Sequence, residues 1–203
     1  MLGGVPPQMV QASYPIQTAR LTLRPFCPDD LDDLYAIHSL PEVARYLYWE
    51  PRDMAEVRDV LDAKCRQSSL AQAGDRLSLA VLWREVGKVV GEVSLVWLSE
   101  EHRQGEVGFV FHPRYQGKGL AREAAAEMLR IGFADIRLHR IIGRCDARNA
   151  ASARLMERLG MRREAHFLHN EIFKGAWGDE YVYALLDAEW ADLHGDGPAV
   201  GRA

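Results

Sequence analysis

The stretch RYQGKGLA, residues 114–121, lies between a strand-like run and a helical pattern. The run is EVGFVF at residues 106–111, and the helical pattern covers residues 120–136. Gly117 and Gly119 have no Cβ, so the chain can turn tightly there and direct backbone N–H groups inward. The following helix adds unpaired N–H groups and the positive end of its dipole. The stretch predicts a site for a phosphorylated ligand; a tight turn without a ligand is the alternative that it leaves open by itself.

Composition predicts one soluble domain with polar ends. The chain has 203 residues, of which 48% are hydrophobic and 27% are charged, which is ordinary for a globular domain. We expect a flexible arm at residues 1–15, a domain at 16–190 and a flexible tail at 191–203, because both ends are rich in Gly and Pro. The net charge of −4 argues against nucleic-acid binding, which needs a basic surface, and is compatible with a cationic substrate.

The three cysteines, Cys27, Cys65 and Cys145, show no C-x-x-C spacing. Neither a disulfide framework nor a metal site is therefore predicted, and a reducing, cytoplasmic environment is the natural interpretation. The first residues have no basic segment followed by an apolar one, so they do not resemble a signal peptide. No apolar run approaches the ~20 residues of a membrane span, so we expect no membrane association.

Periodicity along the chain predicts an α/β (α+β) domain built on a central mixed sheet with helices on both faces. Five helices are predicted. Three begin near Leu31, Glu42 and Asp53, and the other two cover residues 120–136 and 150–159. The predicted strands are residues 21–25, 77–83, 89–98, 106–111, 140–145, 165–173 and 180–186. Gly108, inside the strand 106–111, suggests a β-bulge or a close approach of another group.

Two common phosphate-binding motifs are excluded by individual residues. A P-loop needs Lys and then Ser or Thr after its last glycine, but Gly119 is followed by Leu120 and Ala121. A dinucleotide fingerprint needs a third glycine at position 122, which is Arg122. What remains is Arg-x-x-Gly-x-Gly followed by a second segment, NAASARLMERLGM at residues 149–161.

These features resemble the GNAT superfamily of acyl-CoA-dependent N-acyltransferases, and within it the ribosomal-protein alanine N-acetyltransferases. The resemblance spans roughly residues 16–190, and Tyr115 departs from it because this subgroup often has Trp there. The matching pieces follow one another in the family's order and are residues 18–25, 106–109, 114–121, 138–141, 149–161 and 181–186. The resemblance implies a single GNAT-type domain with a mostly antiparallel sheet.

By the same resemblance, the ligand is acetyl-CoA or a related acyl-CoA, with no metal. The pantetheine arm would pair with the strand 106–111, and a backbone N–H there would stabilise the oxyanion. Asn149 would bind the pantetheine, and Ser152 would donate to the departing thiolate; helix capping by Asn149 and Ser152 is the simpler alternative. The residues implied in cofactor binding are Phe109, Val110, Phe111, Arg114, Gln116, Gly117, Lys118, Gly119, Leu120, Ala121, Asn149 and Ser152.

The implied reaction is direct attack of an amine on the thioester, and the amine must first be neutral. Deprotonation at neutral pH costs about 1 kcal/mol for an α-amine and roughly 4 to 5 kcal/mol for a lysine. A weak base can therefore serve an α-amine, and Glu106 is the candidate, ahead of Glu92. Each of them could also be an ordinary strand residue.

The expected acceptor is the N-terminal α-amine of a protein or peptide. A small amine such as an antibiotic, a polyamine or an amino acid is the alternative within the enzyme class. A catalytically silent acyl-CoA-binding module is the alternative outside it. Analogy with the superfamily also allows a homodimer.

Overall fold

A computed structural model describes residues 13–194, and within them one eight-stranded sheet forms the centre of the molecule. The strands are β1 Ile16–Gln17, β2 Leu21–Pro25, β3 Arg76–Trp83, β4 Lys88–Ser99, β5 Gln104–Phe111, β6 Arg140–Asp146, β7 Arg162–Phe173 and β8 Ala176–Leu186. Their order across the sheet is β1-β2-β3-β4-β5-β6-β8-β7. Every neighbouring pair is antiparallel except β5 and β6, which are parallel. The predicted mixed, mostly antiparallel sheet is confirmed.

Helices cover both faces of this sheet, as predicted. They are α1 Leu31–His38, α2 Pro41–Ala44, α3 Met54–Cys65, α4 Leu120–Arg130, α5 Ala150–Arg158 and α6 Asp187–His194. On one face, Leu34 of α1 and Val57 of α3 pack against Ala80 of β3. On the other, Met128 of α4 packs with Val81 of the same strand. Because successive strand residues point to opposite faces, Ala80 and Val81 belong to the two separate cores.

The helix boundaries follow local sequence signals. Asp53 caps α3 by accepting the Glu56 N–H at 2.9 Å, and Glu56 accepts the Asp53 N–H in return at 2.8 Å, which is a capping box. The single helix predicted for residues 120–136 is instead α4 followed by a π-helical turn at Ile131–Asp135. The Ile136 N–H bonds the carbonyl of Ile131, five residues earlier, a turn that the apolar spacing does not distinguish from α-helix.

Two elements were missed by the sequence pattern, and two strands begin three or more residues earlier than predicted. The missed elements are β1, which is only two residues long, and α6. Strand β7 begins at Arg162 and β8 at Ala176, so only Lys174 and Gly175 connect them. The predicted domain boundary at residue 190 falls inside α6, which continues to His194. Most of the predicted arm, residues 1–12, and residues 195–203 of the predicted tail lie outside the described residues.

Candidate active site

The glycine-rich stretch forms an exposed loop between β5 and α4. A 3₁₀ turn at Pro113–Tyr115 leads into Gln116, and Gly117 and Gly119 follow with φ of 75° and 78°. These are left-handed conformations that side chains with a Cβ rarely adopt. Gly119 is also the N-cap of α4, so the loop carries the unpaired N–H groups of the first helical turn. The geometry fits an anion at this position, as a pyrophosphate site requires.

Side chains from neighbouring segments hold this loop in place. The Gln116 amide donates to the Phe111 carbonyl at 3.0 Å, and the Tyr115 ring packs edge-on against Trp83 with centroids 5.7 Å apart. Arg114, Gln116, Gly117, Lys118 and Gly119 are exposed, whereas Leu120 is buried beneath them. Leu120 therefore anchors the loop, and the exposed backbone of the loop is accessible to a ligand.

Arg20 is a component of this site that sequence reasoning missed. Its guanidinium donates to the Lys118 carbonyl at 2.8 Å and to Glu123 Oε2 at 2.8 Å. Glu123 also accepts from the Thr18 hydroxyl at 2.5 Å and the Arg20 N–H at 2.7 Å. Burial alone would raise the pKa of Glu123, but these hydrogen bonds lower it. The sequence did contain a signal for Arg20, because residues 18–25 are one of the pieces that carry the family resemblance. The resemblance by itself assigned Arg20 no role.

The strands β5 and β6 separate just beyond their parallel pairing. They pair over Gln104–Glu106 and Arg140–Ile142, although β5 continues to Phe111 and β6 to Asp146. We call the gap beyond these pairs the β5–β6 opening. The His112 N–H bonds the Val90 carbonyl of β4, and backbone direction alternates along an antiparallel ladder. Phe109 and Phe111 therefore direct their backbone groups toward the opening, where an extended ligand could pair with them.

The pairing of β5 with β4 corrects two sequence predictions, those for Val110 and Gly108. Val110 faces Glu92 of β4 in the ladder and directs its backbone groups to that strand, so a ligand could contact it only through its side chain. Gly108 pairs regularly with Ser94, without a bulge. A Cβ at Gly108 would lie 2.8 Å from the Ser94 hydroxyl, so the close approach is the correct alternative and the bulge is wrong.

Asn149 and Ser152 lie where α5 begins, just after β6. The Asn149 side-chain oxygen accepts the Ser152 N–H at 3.1 Å and caps the helix. The simpler interpretation, helix capping, is therefore present in the structure for the Asn149 side chain. Capping uses the amide oxygen of Asn149 and leaves its NH₂ group and the half-buried Ser152 hydroxyl for other partners.

Beside the opening is a pocket with about 560 Å³ of empty space, part of it open to solvent. We call it the acidic pocket, because five carboxylates and one arginine are its charged lining. The lining residues are Tyr46, Leu47, Tyr48, Glu106, Arg144, Cys145, Asp146, Glu171, Phe173, Gly178, Asp179 and Glu180. They come from the segment after α2 and from strands β5, β6, β7 and β8. A surplus of negative charge in a concave site favours a cationic ligand.

Arg144 is held between two of these carboxylates. Its Nε lies 3.3 Å from Glu106 Oε1, and its Nη1 lies 3.8 Å from Glu180 Oε1. Glu180 is the more buried of the two, and burial, with help from Glu171 and Glu106, raises its pKa despite Arg144. Glu171 accepts a hydrogen bond from the Tyr48 hydroxyl. Sequence reasoning found Glu106 but missed Glu171 and Glu180, because no local pattern distinguishes them from other acidic strand residues.

Glu92, the second candidate base, lies in a separate buried cluster. Lys64 Nζ is 2.5 Å from its Oε2, and His38 Nε2 is 3.3 Å from its Oε1. Burial would raise the pKa of Glu92, but Lys64 and His38 lower it to about 2. Arg52 donates to His38 Nδ1 at 2.8 Å, and Trp49 stacks on the same ring at 4.7 Å. This cluster anchors the segment after α2, and Glu92 is not part of the acidic pocket lining.

Within residues 13–194, no three His, Cys, Asp or Glu side chains are grouped as metal ligands. The described helices include none that is long and apolar enough to span a membrane.

Comparison with known proteins identifies the family. Residues 20–162 match the model of the acetyltransferase (GNAT) domain. The chain belongs to the GNAT acetyltransferase family. The uncharacterized N-acetyltransferase YnaD of Bacillus subtilis is 37% identical over 177 residues, 86% of this chain and 98% of YnaD. A GNAT-family acetyltransferase structure from Bacillus anthracis superposes with a TM-score of 0.76 at 32% identity, covering 85% of this chain and 98% of the other.

The family assignment makes this GNAT protein an acetyl-CoA-dependent N-acetyltransferase. Among the relatives named for their acceptor, the spermidine N(1)-acetyltransferase of Escherichia coli is 27% identical over 173 residues, 85% of this chain and 89% of that enzyme.

Proposed function

We propose that this enzyme transfers the acetyl group of acetyl-CoA to the N-terminal α-amine of a protein or peptide. The observation that carries the proposal is the acidic pocket, which adjoins the β5–β6 opening and offers carboxylates to an ammonium group. The acceptor would enter the acidic pocket, while the thioester would reach the opening from the glycine-rich loop. The subgroup of ribosomal-protein alanine N-acetyltransferases is part of this proposal.

The cofactor would be held mainly by backbone groups. The N–H groups of residues 116–121 would bind the pyrophosphate, with Arg114 and Lys118 adding positive charge. The pantetheine would extend along β5, and the N–H of Phe109 or Phe111 would donate to the oxygen of the thioester carbonyl as negative charge develops. Asn149 would bind the pantetheine through its NH₂ group. A site of this kind also admits related acyl-CoA donors.

The reaction would proceed by direct attack. The neutral amine nitrogen forms a bond to the thioester carbon, the C–S bond breaks, and the sulfur leaves as a thiolate that accepts a hydrogen bond from Ser152. Glu106 would take the proton that the amine loses, directly or through water. Its position on β5 at the edge of the opening, within the acidic pocket, supports this role. An α-amine suits such a weak base because its deprotonation costs only about 1 kcal/mol at neutral pH.

A small polycationic amine is the second candidate acceptor. It is favoured by the number of carboxylates in the acidic pocket, since Glu106, Glu171, Asp179 and Glu180 could engage more than one positive charge. The resemblance to the spermidine acetyltransferase of Escherichia coli supports the same candidate. A catalytically silent module is the outcome if no amine is acetylated.

Thiol release from acetyl-CoA, measured against a matched set of amines, separates these candidates. The set contains a peptide with a free N-terminal alanine, the same peptide with a blocked N-terminus and one lysine, and spermidine. The proposal expects turnover with the first peptide and little with the blocked one. Turnover with spermidine alone would support the polycation, and tight CoA binding without any turnover would support the silent module.

The role of Glu106 has its own test. Glu106→Gln should lower kcat and change the shape of the pH–rate profile. An undiminished rate with an unchanged profile would show that another group is the base. The proposal also includes a homodimer and a cytoplasmic location. Light scattering after gel filtration tests the homodimer.

A further inference from the structure

Lys174 connects two walls of the acidic pocket, namely the segment after α2 and the β7–β8 hairpin. It lies in the turn between β7 and β8, and its ammonium group reaches across to the segment that follows α2. The Lys174 Nζ donates to the Ala44 carbonyl at 3.0 Å and to the Trp49 carbonyl at 3.1 Å, and it pairs with Glu50 Oε1 at 3.1 Å. We call this set of contacts the Lys174 bridge. It provides an oxygen partner for each of the three ammonium hydrogens.

A second contact, made by Tyr48, joins the same two walls. The Tyr48 hydroxyl donates to Glu171 of β7, and the Tyr48 ring meets Phe173 edge-on at 5.4 Å. Phe173 is buried and also lies 5.8 Å from Lys174 Nζ. Tyr48, Glu171 and Phe173 all line the acidic pocket. The Lys174 bridge and the Tyr48 contact therefore determine how far the two walls stand apart.

The backbone conformation at Lys174 is unfavourable for a lysine, which indicates that the contacts of its side chain compensate for it. Lys174 and Gly175 have φ of 48° and 82°, as in a type I′ turn, where Asn, Asp or Gly is preferred at the first position. A lysine in this left-handed conformation has a backbone energy cost that glycine does not have. The contacts of the Lys174 ammonium group offset this cost.

We infer that Lys174 is a positioning residue for the acceptor: its bridge holds the segment after α2 against the β7–β8 hairpin and keeps the acidic pocket closed on that side. This inference rests on the proposed assignment of the acidic pocket to the acceptor. Lys174 does not line the acidic pocket itself, so it acts through Tyr48 and Phe173. Loss of the bridge should loosen the acceptor site and leave the acetyl-CoA site unchanged.

Cys145 provides a readout that needs no acceptor. Its thiol lines the acidic pocket, and burial raises its pKa to about 12. Opening the pocket should admit water and reagent and so increase its reactivity. Cys27 and Cys65 do not line the pocket and serve as internal references in the same sample.

The experiment measures alkylation of each cysteine by iodoacetamide, followed by peptide mass spectrometry. In Lys174→Met, Cys145 should react about tenfold faster than in the unsubstituted enzyme, because the charge-assisted hydrogen bonds of the bridge are lost, while Cys27 and Cys65 keep their rates. Lys174→Gly removes the bridge and also relieves the turn, so it should accelerate Cys145 equally even if it stabilises the hairpin. Lys88→Met removes an exposed lysine that lies 3.8 Å from Asp33 and should change nothing.

Unchanged alkylation of Cys145 in both Lys174 variants would overturn the inference, and so would equal acceleration at all three cysteines. Steady-state kinetics give the second readout: KM for the amine should rise about tenfold while KM for acetyl-CoA stays constant. A rise in both KM values would contradict a positioning role confined to the acceptor. If no amine is acetylated, the proposed function fails, but the alkylation rates still decide whether Lys174 closes the pocket.

Discussion

The two halves of the proposed active site, one for acetyl-CoA and one for the acceptor, are built in different ways. The acetyl-CoA half is centred on a loop of consecutive residues, 113–121, whose conformation depends on two glycines with positive φ and on a helix N-terminus. The acceptor half is a set of side chains from five separate segments, held together by contacts such as Lys174 with Ala44, which are 130 positions apart. A backbone site is encoded locally, whereas a side-chain site depends on the whole fold.

The largest effect should come from the backbone of the acetyl-CoA half. Gly119→Val forces a β-branched residue into a φ of 78° at the N-cap of α4, a conformation that costs roughly 1–3 kcal/mol. We expect KM for acetyl-CoA to rise about 100-fold, with each 1.4 kcal/mol contributing a factor of ten. The matched control is Gly87→Val, which has a similar φ of 63° in the β3–β4 turn. If both variants leave KM for acetyl-CoA unchanged, the loop does not bind the cofactor.

The segment after α2, which forms one wall of the acceptor half, is anchored by the separate Glu92 cluster, and the stability of that cluster should depend on a buried charge. Glu92→Gln should lower the free energy of unfolding by about 2 kcal/mol at neutral pH, less than the full cost of breaking a buried pair because Lys64 is partly exposed. The folded-state pKa of Glu92 is lowered from 4.5 to about 2. Its stabilising contribution is therefore complete above pH 4.5 and disappears as the pH falls toward 2.

Urea unfolding of both proteins, at neutral pH and at pH about 3, measures this difference. The gap between them should narrow in acid. A gap that is the same at both pH values would mean that Glu92 contributes through packing and not through its charge.

A third substitution tests the support that Arg20 and Glu123 give to the acetyl-CoA half. Glu123→Gln weakens the contacts with Arg20 and Thr18 that brace the loop at Lys118. KM for acetyl-CoA should rise about tenfold, the equivalent of one charge-assisted hydrogen bond, and KM for the amine should not change. Glu127→Gln is the control, since Glu127 lies one turn further along α4 and pairs with Arg130. Equal effects of the two variants would indicate a general change in helix stability.

The smallest effect should follow from removing the arginine of the acidic pocket. Arg144→Gln takes away a positive charge that competes with an incoming ammonium for Glu106 and Glu180. Because Arg144 is about half exposed, KM for a cationic amine should fall only about threefold. Arg103→Gln, at an exposed pair with Asp187, is the control. A rise in KM for the amine would show that Arg144 helps to bind the acceptor.

The contrast between the two halves also explains what the sequence could predict. Gly117, Gly119 and Asn149 were found because turns and caps impose residue types at fixed spacings. The strands, apart from the two-residue β1, were found along the chain from the alternation of their apolar residues. Helix α6 was missed because its pattern is weak. Glu171, Glu180 and Lys174 were missed because their roles depend on which distant segment each side chain meets. Glu106 and Glu92 looked alike in sequence, and only the fold separates the pocket residue from the buried ion pair.

A structure of the enzyme with CoA bound tests the central claim most directly. The account predicts the pyrophosphate on the N–H groups of residues 116–121, the pantetheine along β5 beside Phe109 and Phe111, and the sulfur at the β5–β6 opening, facing the acidic pocket. CoA bound with its sulfur away from that opening, or with its pyrophosphate off the glycine-rich loop, would contradict the account.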